Sequence, residues 1–280
     1  MKRTILIIGA NSALAKEVIL ILVQEHTVIT AGRNNCDIYC DVAEGVMVPA
    51  GVDIIVNFAA AFGGVGDEEI REAEKTNTQG ILNVCIAAKK AAVKHVINIS
   101  SIFALLDQSS PFYSIYAVTK KHADELAQFY CKLNKIPLTI LRPSQIYGDS
   151  DSFKQHQPFF YELIDKAQAG KDMSIFGNND ARRNYIHASD LSEIIRHVIK
   201  KQVEGTYVCT YPDDVTYSQI AFSAQETFGK GGKVIFDKNK PDTPDNIFTK
   251  DLIIYEKLSY TPQISIETGI KRIKEYRERH

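Results

Sequence analysis

The chain has 280 residues, 45% of them hydrophobic, which is enough to bury a sizeable core in one or two domains. A formal net charge of −1 at pH 7 gives no basic surface for nucleic acid. No apolar run is long enough to span a membrane, and the first is too short for a secretory signal, so a cytoplasmic protein with no membrane partner is expected. Cys36-x-x-x-Cys40 has no matching second pair, so no metal site is expected. Cys85, Cys131 and Cys209 sit in apolar surroundings and read as small core residues in a reducing compartment.

The chain opens with an apolar run, Ile5-Leu6-Ile7-Ile8, stopped by Gly9. Such a run reads as a buried parallel strand. Ala10-Asn11-Ser12-Ala13-Leu14-Ala15 follows as a small-residue turn, then an amphipathic helix through about Val23. A strand, a tight turn and a helix N-terminus point N–H groups and a dipole at an anion, so Gly9 to Leu14 is a candidate cradle for a dinucleotide pyrophosphate. The second strand, Val28 to Ala31, ends at Gly32-Arg33. An NAD site commonly has an acid here for the ribose 2′-hydroxyl, whereas an arginine suits a 2′-phosphate. Gly32 supplies no acid and Arg33 supplies a cation, which favours NADP; NAD remains open, with Asp37 or Asp41 as the acid.

The segment Asn34 to Gly51 is too short and polar for a full helix. Val52 to Ala60 reads as the next strand, and helices are expected near 76–93 and 116–134 with a strand at 96–101 between them. Tyr116 and Lys120 are four residues apart and share one helix face. An ammonium beside a phenol favours the phenolate, while desolvation opposes it. With the Ser101 hydroxyl holding a substrate oxygen, the trio has what is needed to move a proton on and off an alcohol while a hydride moves on its carbon. Alone, the Tyr-x-x-x-Lys spacing is a weak signal and describes many solvated helix faces.

From about residue 144 the character changes. A helix is expected at 156–170, a short strand at 174–177, a helix at 189–201 and a strand at 206–210. This divides the chain into a dinucleotide-binding domain, 1–143, and a substrate-binding lobe, 144–280, with the strand near 206–210 returning to the first.

Taken in order, these pieces resemble the extended short-chain dehydrogenase/reductase superfamily, in its nucleotide-sugar epimerase, dehydratase and reductase branch. The resemblance implies an α/β, Rossmann-type doubly wound parallel sheet with a smaller, interleaved substrate lobe. The family's Gly-x-x-Gly-x-x-Gly motif keeps only its first glycine here, with Ser12 and Ala15 in place of the others. Cys40-Asp41-Val42 looks like the family's contact to adenine, Phe58-Ala59-Ala60 like the strand end that lines the cofactor ribose, and Asn77 like the asparagine that opens the next long helix. Ser101 matches the active-site hydroxyl, with Ser100 second, and Tyr116 and Lys120 match the family pair. Leu141 to Gly148 resembles the strand leading through Pro143 to the substrate lobe, and Arg182 to Asp190 resembles a signature whose arginine, here Arg183, lies near the nucleotide diphosphate. Gln145 and Phe159 are further lining candidates. Leu258 to Ile270 looks like the closing helix, and the loop Lys238 to Pro244 like one that borders the nucleotide. The resemblance also implies a homodimer built on the two long helices.

A dehydratase needs an added acid and base after the active-site hydroxyl, and a C3/C5 epimerase needs a Cys, His or Lys nearby. The matching positions here are Ile102 and Phe103, and His187 reads as a packed helix-start residue. Simple hydride transfer on a nucleotide sugar is left. The expected activity is reduction of a 4-keto-deoxysugar with NADPH. The shortened link before Gly51 adds a resemblance to the branch of dTDP-4-dehydrorhamnose reductase. The alternatives are a 4-epimerase that keeps NAD bound and, more remotely, a non-catalytic cofactor sensor.

Overall fold

The structure is a computed structural model that describes residues 2–280. Its chain order begins β1 (Thr4–Ile8), α1 (Ala13–Leu22), β2 (Thr27–Gly32), β3 (Ile38–Tyr39), β4 (Ile54–Asn57), α2 (Asp67–Ala73), α3 (Gly80–Lys90), β5 (His95–Ile99), α4 (Ile115–Asn134) and β6 (Leu138–Pro143). It continues β7 (Gln145–Tyr147), α5 (Pro158–Gln168), β8 (Met173–Phe176), β9 (Arg182–Arg183), β10 (Tyr185–His187), α6 (Ala188–Lys201) and β11 (Gly205–Cys209). Then come β12 (Val215–Thr216), α7 (Tyr217–Phe228), β13 (Val234–Asp237), α8 (Ile253–Leu258) and α9 (Ile266–Arg279). Two compact units result: residues 1–143, 192–209 and 251–260 in one, and residues 144–191, 210–250 and 261–280 in the other.

The first unit is built on a seven-stranded parallel sheet in the order β11-β6-β5-β4-β1-β2-β3. This is a Rossmann-type α/β fold. Every residue of β4 and β5 is buried, which is why these segments read as continuous apolar runs rather than alternating ones. One core layer packs Leu6, Ile8, Ile55, Val96 and Ile140 of the sheet against Ile81, Val84 and Cys85 of α3 and Ala123, Ala127 and Cys131 of α4. Strand order reverses between β1 and β4, so the loops after their carboxyl ends diverge and leave a crevice there. The segment from Asn34 to Gly51 holds only the two-residue β3, hydrogen-bonded through Cys40 N to Gly32 O.

Two helix expectations are corrected. The helix expected from residue 76 starts at Asp67, passes through a π-helical stretch at Glu74–Gln79, and ends at Lys90. Its first turn is held by Glu69, whose carboxylate accepts from Gly66 N at 3.0 Å. Asp67, Glu68 and Glu69 also suit the positive end of the helix dipole. Only Ala73 of α2 is buried, so the segment carries no apolar stripe to announce it. The single closing helix expected over 258–270 is two helices, α8 and α9, because Ser259 turns left-handed at φ 51° and ends the first.

His95 at the start of β5 is fully buried, with Nε2 2.8 Å from Thr139 Oγ1. Burial, helped by the positive charge of Arg3, pushes its pKa down to about 4 from 6.5. A depressed histidine stabilises the fold above its unfolded pKa and loses that contribution as pH falls toward the folded value. We therefore expect the protein to lose stability between pH 6.5 and 4, with about 3 kcal/mol as the largest share this residue contributes. Urea unfolding across that window measures it, and His95→Gln should flatten the slope; an equally steep slope in the variant would count against His95 as the source.

In the second unit, β7 pairs with β10 and β8 with β13 in parallel, and β9 pairs with β12 antiparallel. Helices α5, α7 and α9 pack together. Arg277 of α9 bridges Asp151 and Asp165 at 2.7 and 2.9 Å. The loop from Lys238 to Pro244 is anchored by Asp242, whose Oδ1 accepts from Asn178 N and Asn179 N at 2.5 and 3.2 Å.

Candidate active site

The turn after β1 is shaped by Gly9, whose φ is +74°. A Cβ there would lie 2.6 Å from Ala59 N and 2.9 Å from the Phe58 carbonyl carbon, so a side chain is excluded by backbone on the facing loop after β4. Ser12, standing where the family pattern has its second glycine, is the N-cap of α1 and accepts from Ala15 N at 3.2 Å. Replacing glycine by serine thus keeps the helix start and adds a cap. The first-turn N–H groups of Ala13 and Leu14 have no intrahelical carbonyl in reach, the arrangement that binds a phosphate. Asn11 is exposed, and its amide is tied down by donation to Asn34 O at 2.6 Å.

Past β2, Arg33 is exposed. Asp37, one of the two candidate acids for a ribose, has Oδ2 engaged by Thr30 N at 2.8 Å and Thr30 Oγ1 at 2.7 Å. These bonds hold its carboxyl below the usual range. Asp41 is half-buried and uses Oδ1 to accept from Ala43 N at 3.0 Å. Val42 is buried against Gly80, where a Cβ would meet it at 2.8 Å. Beyond β4, Phe58 is buried, Ala59 is half-buried and Ala60 is exposed. Asn77 lies in the π-helical stretch, buried, with its amide engaged in the protein. Its Oδ1 accepts from Ala61 N at 2.9 Å, and its Nδ2 donates to Ala61 O at 2.7 Å and Thr119 Oγ1 at 2.8 Å. Its direct work is therefore to fix the loop after β4 to α4. Pro143 is buried at the end of β6, paired with Cys209 of β11.

The reactive trio comes from two elements, the end of β5 and α4. Ser101 is the N-cap of a short 3-10 turn, Ile102–Leu105, and accepts from Phe103 N at 3.2 Å. Its hydroxyl hydrogen-bonds the Tyr116 phenol. Ser100 is buried, and its Oγ has no hydrogen-bond partner among the described residues, though it lies near enough to Asp124 to favour that carboxylate. Lys120 is buried and donates to Ile99 O at 3.0 Å, with Nζ 5.8 Å from the centroid of the Tyr116 ring. The Tyr116 ring stacks on Phe62 at 4.8 Å and meets Phe103 edge-on at 6.3 Å.

The expectation that Lys120 draws the phenol toward ionisation is corrected. Burial pushes Tyr116 up to about 12, and the Ser101 hydrogen bond offsets only part of that. Burial pulls Lys120 down to about 8. Desolvation outweighs the attraction in this apolar setting. The phenol is thus a proton donor throughout the neutral range. Ile102 is buried and Phe103 is aromatic, so neither can exchange a proton.

In the second unit, Arg183 is buried and donates Nη1 to Arg182 O and Pro244 O, both at 2.8 Å. Its guanidinium lies 4.9 Å over the Tyr217 ring. Phe159 meets the same Tyr217 edge-on at 4.6 Å and Phe176 at 5.9 Å, so Arg183 and Phe159 share one aromatic cluster. Gln145 donates Nε2 to Gln157 at 3.0 Å, while its Oε1 and the neighbouring Ser144 Oγ are buried without hydrogen-bond partners among the described residues. His187 is buried with Nδ1 accepting from Ser189 N and Nε2 3.0 Å from Asp149 Oδ1. An Nδ1 that accepts puts the proton on Nε2, so this histidine is locked as a structural donor.

Sequence reasoning missed Phe62, Tyr217, Ser144 and, beside the trio, Asp124 and Arg142. Asp124 had a usable signal: it continues the Tyr116 and Lys120 spacing by one more helical turn. The others announce nothing in sequence, because their contacts join distant segments.

The geometry agrees with the comparisons. The profile of the NAD dependent epimerase/dehydratase family matches residues 5–209. A dTDP-D-glucose 4,6-dehydratase from Bos taurus is 28% identical over 246 residues, covering 81% of this chain and 68% of that protein. A GDP-L-fucose synthase from Escherichia coli is 25% identical over 174 residues, 55% of this chain and only 53% of that protein. The fold is shared with a UDP-glucose 4-epimerase from Thermotoga maritima, crystallised with UDP-glucose, at a TM-score of 0.78 and 18% identity over 99% of both chains. No helix among the described residues is long and apolar enough to cross a membrane. The family profile spans most of the chain, from β1 to β11, and takes in the cofactor turn and the Ser101, Tyr116 and Lys120 trio: this chain belongs to the NAD dependent epimerase/dehydratase family, enzymes of the extended short-chain dehydrogenase/reductase type.

Proposed function

We propose that this enzyme transfers a hydride at C4 of a nucleotide-activated sugar, with Tyr116 as the proton donor and acceptor. The observation that carries this reading is the trio of buried Ser101, half-buried Tyr116 and buried Lys120 beside Ile102 and Phe103, positions where a dehydratase needs an acid and a base. The finer reading is NADPH-dependent reduction of a 4-keto-deoxysugar. Arg33 is exposed at the end of β2, and Asp37 is already engaged by Thr30.

The cradle of Gly9, Ser12, Ala13 and Leu14 fits a dinucleotide, because the glycine leaves room that a Cβ would fill and the helix start offers N–H groups. A bound nicotinamide supplies the hydride. Ser101 orients the ketone oxygen, and Tyr116 gives it the proton. Lys120, charged below about pH 8, supports the phenolate that this leaves. Asn77 keeps the loop after β4 in register with α4. Gln145, Phe159 and Arg183 are the candidate substrate contacts in this reading, with Arg183 as the cation for a diphosphate. A homodimer through α3 and α4 belongs to the same reading.

A 4-epimerase that keeps NAD bound is the second reading. It is favoured by the NAD dependence of the family and by the names of relatives that act as epimerases. Denaturing the purified protein and identifying the released dinucleotide separates the two. Near-stoichiometric NAD would overturn the reductase reading; an empty protein, or one with substoichiometric NADP, supports it.

Arg33→Ala tests the 2′-phosphate contact. It should weaken NADPH about tenfold or more, the scale of one charge-assisted contact, and leave NADH nearly untouched. Fluorescence titration with both cofactors measures this, and equal losses would remove Arg33 from the site.

A further inference from the structure

The Tyr116 ring is held from two sides by residues of the loops after β4 and β5. Phe62 lies nearly parallel to it, with ring centroids 4.8 Å apart and planes 24° apart. Phe103 meets it edge-on at 6.3 Å and 69°. Both are favoured arrangements for aromatic pairs, and together they fix the plane of the Tyr116 ring. Phe62 is nevertheless 53% exposed, so burial in a core does not explain where it sits. The loop is pinned on both sides of it. Ahead, Ala61 gives its N–H to Asn77 Oδ1 at 2.9 Å and accepts from Asn77 Nδ2 on its carbonyl at 2.7 Å. Behind, Gly63 has φ +68°, and a Cβ there would lie 2.7 Å from Ile115 Cγ2 and 2.9 Å from Ala73 Cβ. Gly66 N then donates to Glu69 at 3.0 Å. Ile115 is the residue before Tyr116, so the loop packs directly on the start of α4. Surface loops ordinarily carry their exposed side chains loosely. Here a buried asparagine and a close-packed glycine fix one exposed ring against one phenol.

We propose that Phe62 is a positioning residue for the proton donor: the clamped loop after β4 lays it on the Tyr116 ring as a cover that keeps water from that face and holds the hydroxyl toward Ser101. This rests on the reading of Tyr116 as the proton donor given above. A tyrosine that changes χ1 carries its hydroxyl away from Ser101, and proton transfer needs that geometry held closely. A stacked ring removes this freedom without bonding the oxygen, so the hydroxyl stays available to Ser101. A polar side chain in place of Phe62 would compete for the proton, whereas an apolar ring has no donor or acceptor to do so.

The test compares chemical access to Tyr116 with turnover, both in the full chain. Tetranitromethane nitrates accessible phenols, and fragmentation mass spectrometry locates the nitro group. Phe62→Ala should speed nitration of Tyr116 about tenfold or more, the effect of uncovering a phenol and bringing its ionisation one unit closer. Exposed Tyr39 and half-buried Tyr130 should react as before. With dTDP-4-keto-6-deoxyglucose and NADPH, kcat should fall about 10- to 100-fold, the scale of a misplaced reacting group, while dinucleotide affinity is kept. Phe62→Tyr keeps a flat ring and should restore slow nitration at Tyr116 and most of the turnover. Gly63→Ala leaves Phe62 unchanged but drives the loop off Ile115 and Ala73, so it should act as Phe62→Ala does, and it decides alone should Phe62→Ala fail to fold. Tyr116 nitration unmoved in these variants, or raised equally at every tyrosine as in a loosened fold, overturns the proposal. Faster nitration with kcat kept also overturns it, because the cover then does nothing for the chemistry. Tyr116→Phe, assayed alongside, keeps the two ideas apart. Lost turnover there with unmoved nitration in Phe62→Ala sinks the role of Phe62 and leaves the hydride-transfer reading standing. Retained turnover in Tyr116→Phe sinks that reading whatever the nitration shows. Should the wild type not turn over this sugar, the reductase reading fails, and nitration, which needs no substrate, decides for Phe62.

Discussion

Tyr116→Phe should lose turnover of a 4-keto-6-deoxy nucleotide sugar by about 10²- to 10⁴-fold, the usual scale for removing a general acid. Binding of the dinucleotide should be nearly unchanged. The reason is local. The phenol hydrogen-bonds Ser101, stacks on Phe62, and lies on the helix face of Lys120, so removing one oxygen leaves the ring contacts intact. The residues that follow Ser101 cannot take over, since Ile102 is aliphatic and Phe103 is aromatic. Stopped-flow NAD(P)H oxidation and a separate cofactor titration give the two halves of the result. Turnover retained within a factor of a few would remove Tyr116 from the chemistry.

The pH behaviour has a definite sign. Tyr116, pushed up to about 12, holds its proton across the neutral range. Lys120, pulled down to about 8, loses its charge first as pH rises. Reduction should therefore slow above about pH 8, where a neutral lysine no longer supports the developing phenolate.

Much of this was legible in the chain because the signals are local. The run from Ile5 to Gly9 is a buried parallel strand ending in a required glycine, and both facts follow from residue type alone. The Tyr116 and Lys120 spacing survives as a shared helix face because α4 runs unbroken from Ile115 to Asn134. The rest depended on long-range contacts. Asn77 marks a helical stretch by residue type, but the partners of its amide, Ala61 and Thr119, lie 16 and 42 residues away and leave no local signal. The sequence put Lys120 beside Tyr116 correctly but gave no measure of burial, and burial reverses the sign of the expected effect on the phenol. Helix α2 escaped notice because its stabilisation lies in a carboxylate cap and a dipole rather than an apolar stripe.

Gly9→Ala should remove dinucleotide binding and destabilise the fold together. Two separate costs add at this position. The backbone sits at φ +74°, a left-handed conformation that costs an alanine about 1 kcal/mol or more. The added Cβ would also lie 2.6 Å from Ala59 N, 2.9 Å from the Phe58 carbonyl carbon and 3.0 Å from Ala59 Cα. All three are backbone atoms, so no side chain can swing away, and the ends of β1 and β4 must separate. These are the two strands whose divergence forms the crevice, and Gly9 N is itself held to Ala31 O at 2.9 Å, so the cradle moves with them. Gly51→Ala supplies the comparison. It has φ +81° with nothing within 4 Å of the new Cβ, and so bears the conformational cost without the clash. Urea unfolding should find Gly9→Ala the less stable of the two by about 1–3 kcal/mol, the size of a strained backbone site. Cofactor fluorescence should find binding lost in Gly9→Ala and kept in Gly51→Ala. Equal stability in the two variants, with the dinucleotide bound by both, would mean that the turn after β1 does not cradle the pyrophosphate.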